Sequence, residues 1–241
     1  MPGSYSQRVP GRPNPIAVAL AAQNGYRVMN GPFAGLNYTR KAAGSALAPK
    51  LVGSYERELH PVWAQVLKNA YDLVVDIGCA EGYYAVGLAK HLPNQPQVIA
   101  FDMDAEARLL CRELSIKNGV SNRVEVLGEC DVAALKSVIK GRALVICDCE
   151  GAEVELLNIE QIPALKQADI VVELHDFLRA GVTETLTQRF AATHEITLIN
   201  SAQPDPSLYA ELEILAPEQR AIALDERAEP MQWAWMRPKS K

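Results

Sequence analysis

From residue 71 onward the apolar positions fall into two alternating rhythms. Short, nearly uninterrupted apolar runs at 73–77 (LVVDI) and 97–101 (QVIAF) predict strands buried on both faces. Between and after them, 82–91 and 105–118 repeat their apolar residues at helical spacing. Asp104 stands where a helix N-cap belongs, and Asn118-Gly119 supplies a left-handed stop. Further strands are expected at 123–127, 143–147, 170–174 and 195–199, with helical segments between most of them. A last strand is expected at 232–236 (QWAWM), after a loop or helical excursion over 208–228; Trp233 and Trp235 then share one packed face. Continuous apolar strands alternating with helices predict an α/β fold, a doubly wound and mostly parallel sheet covered on both faces.

Before residue 71 this rhythm is absent. Residues 1–15 carry four prolines without periodicity and predict a flexible tail. Residues 16–70 mix helical pieces with a Gly-rich loop at 31–35 and predict an N-terminal helical cap or lid on a core spanning 71–241. Ser54 is placed to cap a helix with Glu56 and Glu58 in its first turn, and Pro61 must then kink that helix or open a new one. The apolar stretch 16–22 follows Arg8 and Arg12 and superficially resembles a secretory leader. It is at the minimum length for one and follows Pro10, Pro13 and Pro15, so an apolar helix is the expectation.

The chemistry concentrates where the first strand runs into Asp76-Ile77-Gly78-Cys79-Ala80-Glu81-Gly82. Gly78 and Gly82 allow a tight turn and close backbone approach to a ligand. Asp102 ends the second strand, placed to accept both hydroxyls of a ribose; strand, glycine turn, helix, strand and acid make a nucleoside-binding half-sheet. A dinucleotide site wants G-x-G-x-x-G, whereas this turn reads G-x-x-x-G and is flanked by Asp76 and Glu81. Those acids repel a phosphate but suit a sulfonium and an α-ammonium, favouring S-adenosylmethionine over NAD or ATP.

The segment 75–82 resembles motif I of the class I S-adenosylmethionine-dependent methyltransferases, and Phe101-Asp102-Met103-Asp104 resembles the acidic end of their second strand. Asp148-Cys149-Glu150-Gly151-Ala152-Glu153, with Leu156-Leu157, resembles the D-x-E-G-A-E segment of the FkbM-type family, and Val171-Val172-Glu173-Leu174-His175 matches its next strand end. The resemblance covers roughly residues 71–200 and implies a seven-stranded sheet, S-adenosylmethionine as donor and a hydroxyl acceptor. It places Asp76, Gly78 and Gly82 around the methionine moiety, with Cys79, Glu81 and Met103 on the same donor side. Asp102 would hold the ribose and Glu129 approach the adenine, with Asp131 as its rival. Asp148, Glu150, Glu173 and His175 would lie at the strand ends where open α/β sheets bind ligands. Cys79 and Cys149 lack a basic neighbour in sequence and read as small lining residues.

An acceptor hydroxyl needs a base or a metal to take its proton as the bond forms. His175, with an ordinary imidazole pKa, is the candidate base; Asp148 and Glu173 are its catalytic partners. Asp148, Glu173 and His175, with Asp176 beside them, also suit a divalent ion, Mg²⁺ or Mn²⁺, with catalytic zinc as an alternative. The expected partner is a small-molecule acceptor: a sugar, a natural product or another hydroxyl compound. A formal charge of −5 weighs against nucleic acid and anionic membranes, and the longest apolar runs fall short of a membrane span. Five cysteines without CxxC spacing suggest reduced thiols and a cytoplasmic setting. Oligomerisation is left open. The rival readings are a non-catalytic nucleoside-binding regulatory domain and an NAD-linked oxidoreductase.

Overall fold

The structure, a computed structural model, describes residues 14–227 and 230–239, so most of the expected N-terminal tail lies outside the described residues. Seven strands form one sheet: β1 (Leu73–Ile77), β2 (Gln97–Phe101), β3 (Val124–Leu127), β4 (Ala143–Cys147), β5 (Asp169–Glu173), β6 (His194–Asn200) and β7 (Gln232–Pro238), in the order β3-β2-β1-β4-β5-β7-β6. The first five are mutually parallel; β7 runs antiparallel between β5 and β6. The doubly wound sheet expected from the apolar runs is what forms. The chain reverses its direction of winding between β1 and β4. Their carboxyl ends therefore open the crevice where such sheets bind ligands.

Alternate residues of the central strands feed two separate cores. Val74, Leu144 and Val171 face one side, with Trp233 and Trp235; Val75, Val145 and Val172 face the other, with Met236. On the first side pack α1 (Pro15–Asn24), α2 (Leu47–Val52), α3 (His60–Val66), α4 (Tyr83–His91) and α5 (Ala105–Lys117). On the second lie α6 (Val132–Val138), α7 (Glu153–Leu156) and α8 (Val182–Phe190). A last helix, α9 (Pro217–Leu224), returns to the first side.

Residues 16–70 are built into that first core. Phe33 is fully buried, 5.2 Å from the Tyr83 ring, and Trp63 lies 4.7 Å from Tyr84. The apolar stretch at 16–22 is helical within α1, which Asn14 caps by accepting from the Ile16 amide at 2.9 Å. Asp104 caps α5 as expected, and Gly119 adopts a left-handed conformation past its end. Ser54 does not cap a helix. Its hydroxyl donates back to the Pro49 carbonyl, Glu56 is left-handed (φ 47°), and a short 3-10 turn, Arg57–Leu59, follows. Pro61 then opens α3 rather than kinking a longer helix, because its missing N–H costs nothing in a first turn.

Candidate active site

The turn after β1 is held from both neighbouring strands. The Gly78 and Cys79 amides both donate to the Phe101 carbonyl at 2.9 Å, and the Asp148 amide donates to the Ile77 carbonyl at 2.9 Å. Gly78 has φ +81°, and a Cβ there would lie 1.7 Å from the Asp148 carbonyl oxygen, so this strand crossing requires glycine. Asp102 is half-buried. One of its oxygens accepts from the Ala80 amide and the other from the Asp104 amide, each at 2.8 Å. Both oxygens keep a further lone pair in a fixed orientation, the requirement for reading two vicinal hydroxyls. Asp76 is buried, and its Oδ2 has no hydrogen-bond partner. Burial pushes its carboxyl up to about 7, against the pull of the Ala85 amide.

The other donor-side residues are placed less uniformly. Met103 is 76% exposed beside Asp102, and Glu129 is exposed after β3. Asp131, the rival of Glu129, accepts from the Ala134 amide as the cap of α6. Cys79 is buried; its thiol is pushed well up by a hydrogen bond with Cys111 and by burial, consistent with a lining role. Glu81 requires a correction. Its fully buried carboxylate accepts from Lys50 Nζ (2.5 Å), the Tyr38 hydroxyl (2.5 Å) and the Ala43 amide (3.0 Å). It ties the turn to the N-terminal layer and its charge is answered by Lys50, so it does not offer a free anion to the donor.

At the ends of β4 and β5 the structure brings together the three residues expected to work as a group. His175 Nε2 lies 3.5 Å from Asp148 Oδ1 and 3.4 Å from Glu173 Oε2, while Nδ1 meets Glu153 Oε1 at 2.6 Å. Among the described residues this is the one group of ligand-type side chains whose donor atoms all lie within 4.8 Å of one another. The donor set fits a divalent ion: two carboxylates and one imidazole nitrogen converge, and the far nitrogen is fixed by a carboxylate, as in carboxylate–histidine–metal arrangements. Asp176 is not part of it; its carboxylate accepts from Gly181 and Thr183 at the start of α8. Glu150 is exposed and left-handed (φ 51°), outside the group.

The neighbouring carboxylates shift the pKa of His175, the expected base. Burial pulls the His175 pKa down, but hydrogen bonds to Glu153 and Glu173 and the field of Asp148 raise it to about 10. These carboxylates favour the protonated ring, while Nε2 is the atom that a metal would take. Burial and the neighbouring Glu173 push Asp148 well up. Burial also acts to raise Glu173, but His175 and Arg227 together hold it below the usual range.

Sequence reasoning missed Glu153 and Arg227. Glu153 lies within the D-x-E-G-A-E segment, whose spacing was the available signal; it ends buried under His175. Arg227 sits in a stretch without rhythm, 54 residues beyond the Glu173 that it contacts at 2.9 Å. It also reaches Glu56 Oε1 at 2.8 Å. Glu56 and Glu226 are pushed by burial to about 7 and about 8.

These shifts set a pH dependence. Asp76, Glu56, Glu226 and His175 all have folded-state pKa values raised above their ordinary ones. Each favours the folded state fully only below its ordinary pKa and loses that contribution as pH rises through the folded value. Glu153 and Glu173, held low, contribute above about 4 and lose that contribution on acidification. The melting temperature of the ligand-free protein is expected to be highest near about pH 4–5 and to fall towards pH 9. A melting temperature that climbed steadily over that range would contradict the assignment.

The family model for O-methyltransferase matches residues 61–154, less than half of the chain, from α3 through the donor turn to Glu153. Among curated proteins none matches the sequence. Solved structures with similar folds include a Klebsiella pneumoniae protein provisionally assigned as an O-methyltransferase (TM-score 0.52, 13% identity, 95% of this chain and 92% of that one). An O-methyltransferase from Bacillus cereus in complex with SAH gives TM-score 0.51 at 13% identity, over 75% of this chain and 80% of that one. A Clostridium thermocellum protein provisionally assigned as an rRNA methylase gives TM-score 0.52 at 14% identity, over 76% and 97%. At such identities the likeness is one of fold. The seven-stranded, mostly parallel sheet with flanking helices is the class I methyltransferase fold.

Proposed function

We propose that this protein is an S-adenosylmethionine-dependent O-methyltransferase acting on a small hydroxylated molecule, within the FkbM-type group. The observation that carries the reading is a single junction. The glycine turn that would cradle the donor packs directly on the backbone of Asp148, the first member of the polar trio. Donor and acceptor chemistry thus meet at the ends of adjacent strands β1 and β4. The FkbM-type assignment is supported by Glu153, which gives the D-x-E-G-A-E segment a task in orienting His175. The acidic site and the net charge of −5 argue against RNA as acceptor. All five cysteines are free thiols, which supports a cytoplasmic setting. Among the described residues no helix is long and apolar enough to cross a membrane.

In this reading Asp102 holds the ribose hydroxyls, and Asp76 lies beside the cationic end of the donor. Methyl transfer needs in-line approach of the acceptor oxygen, so the first contribution of the site is positioning. The trio fits Mg²⁺ or Mn²⁺ through Asp148, Glu173 and His175 Nε2; such an ion, when bound, lowers the pKa of a hydroxyl and orients it. Asp148 is the member that faces the acceptor, since 35% of its side chain is exposed against 4% for His175 and 8% for Glu173. Its carboxylate receives the acceptor's proton. His175 holds the two carboxylates in place, and Glu153 holds His175. Residues 16–70 close the first face as a fixed cap.

The test is calorimetry with S-adenosylhomocysteine. Binding is expected, with a rise in melting temperature, because a ligand selective for the folded state stabilises it. Asp102→Ala should weaken that binding by about 1–3 kcal/mol, the cost of losing hydrogen bonds to a charged group. No heat and no thermal shift at millimolar ligand would end the methyltransferase reading. Wild-type affinity in the variant would remove the ribose role from Asp102.

A further inference from the structure

Cys147 closes β4 and Cys149 follows two residues later, with Asp148 between them. Side chains two apart on an extended chain point to the same side. Here both thiols pack with the second core, and their sulfurs lie 3.4 Å apart. A covalent bond needs about 2 Å, so roughly 1.4 Å of approach separates this dithiol from a disulfide. Cys147 is fully buried, whereas Cys149 is half-buried and keeps an edge in solvent. Cys79 and Cys111 also pair, but both are buried.

The two sulfurs differ in freedom. Cys147 is fixed, because β4 is paired with β1 on one side and β5 on the other. Cys149 is held lightly. Its amide reaches Glu153 only at 3.4 Å, and its carbonyl accepts from the Ala152 amide at 3.5 Å. The chain beyond it is left-handed at Glu150 (φ 51°), and a side chain at Gly151 would meet nothing within 4 Å. Cys149 is therefore the partner that moves. Alternate Cα atoms of an extended strand stand about 6.6 Å apart, near the upper limit of about 6.8 Å for a disulfide. Closing the bond draws the backbone in at the residue between, Asp148. The Asp148 amide donates to the Ile77 carbonyl at 2.9 Å, and its carbonyl oxygen fills the place of a Gly78 Cβ. A shift of Asp148 thus passes through the backbone into the donor turn.

We propose that Cys147 and Cys149 form a reversible disulfide when a hydroperoxide reaches Cys149, and that the bond weakens donor binding by displacing Asp148. The Cys149 sulfur attacks the peroxide and the O–O bond breaks. Water or an alcohol leaves with the Cys149 proton, and a sulfenic acid remains. The Cys147 sulfur then displaces the sulfenic oxygen, which departs as water with the Cys147 proton. Two thiols are oxidised to one disulfide, and the hydroperoxide takes up their two electrons. A thiol reductant reverses the step, and a bridge across so short a span is strained and opens readily. Transient disulfides of this kind suit a reducing compartment. The bond forms whatever reaction the protein catalyses; its effect on the donor rests on the O-methyltransferase reading.

The full chain, first reduced and then freed of reductant, is treated with a small molar excess of hydrogen peroxide. Its mass is expected to fall by two hydrogens, with peptide mapping placing the link between Cys147 and Cys149. Hydrogen exchange at the Asp148 amide should quicken by about tenfold or more as its bond to Ile77 weakens. Affinity for S-adenosylhomocysteine should fall by about tenfold or more, and dithiothreitol should restore both. Cys149→Ser should lose neither hydrogens nor donor affinity under the same treatment. Cys147→Ala is the second variant if Cys149→Ser does not fold; it should gain one oxygen at Cys149, as a sulfenic acid trapped by dimedone. An unchanged mass, a link through Cys130 or Cys79 instead, or a bond that leaves the Asp148 amide and donor affinity unaltered would overturn the proposal. Failure of S-adenosylhomocysteine to bind either form would refute the methyltransferase reading and the donor half of this one. Mass and amide exchange would still decide the bond and the displacement.

Discussion

Gly78→Ala is expected to abolish donor binding and to destabilise the fold by roughly 4 kcal/mol or more, a size that only a few mechanisms produce. The added Cβ would lie 1.7 Å from the Asp148 carbonyl oxygen and 2.8 Å from its carbonyl carbon. Both are backbone atoms that no rotamer change can move. They follow β4 directly, and β4 is hydrogen-bonded to β1 in the register Ile77↔Cys147. Relief would require the two central strands to part at the crevice, or Gly78 to leave φ +81° and break its amide's bond to Phe101. Gly151→Ala is the control: φ is +108°, but nothing lies within 4 Å of the added carbon, so backbone strain alone is tested. Denaturant unfolding and calorimetry with S-adenosylhomocysteine measure both variants. Near-wild-type stability and binding in Gly78→Ala would mean that the turn does not cross Asp148 as described.

Asp148→Asn should lower turnover by roughly 10²–10⁴-fold, the contribution typical of a positioned proton acceptor. The amide preserves shape and cannot take up the acceptor's proton. It also removes one of the anions that raise the His175 pKa, so that pKa should fall, a shift readable by NMR of the imidazole. Donor affinity should stay within twofold, because Asp148 meets the donor turn through its backbone rather than its carboxylate. If a metal is part of the site, stimulation by added Mg²⁺ or Mn²⁺ is also lost. Unchanged turnover would remove Asp148 from the chemistry. Unchanged turnover together with a lowered His175 pKa would assign it a purely electrostatic task.

The strands were legible because burial on both faces leaves a local trace: an apolar run such as 143–147 has few other folds open to it. The Asp104 cap and the Gly119 stop were legible for the same reason, being written within a few residues. The chemistry of the donor turn was partly legible, since Asp76, Gly78, Gly82 and Asp102 belong to one compact unit. What failed depended on distant partners. In the sequence Glu81 stands beside Asp76 as a second anion for the donor, yet its charge is decided by Lys50, 31 residues earlier. By its local sequence Glu56 complements a helix dipole. A left-handed turn and Arg227, from the far end of the chain, put it into a buried cluster instead. His175 carries an ordinary pKa in any sequence; Glu153, 22 residues back, is what lifts it.

The insertion of β7 between β5 and β6 has a consequence in time. A ribosome delivers β5 about 60 residues before β7, an interval of several seconds at roughly 5–20 residues per second. During that interval β6 is already made but cannot take its place, since it pairs only with β7, and the open side of β5 stays an unpaired edge. Trp233 and Trp235, which complete the first core, arrive in the same late strand, and Arg227 precedes them by only a few residues. The donor turn and the Asp102 that would read the ribose are encoded before residue 103 and their packing partner Asp148 by residue 148, whereas Glu173 gains its counter-ion only near the end of synthesis. The nascent chain can therefore assemble a donor site while the acceptor side is still an exposed sheet edge, and that edge is the point at which a folding chaperone would be needed.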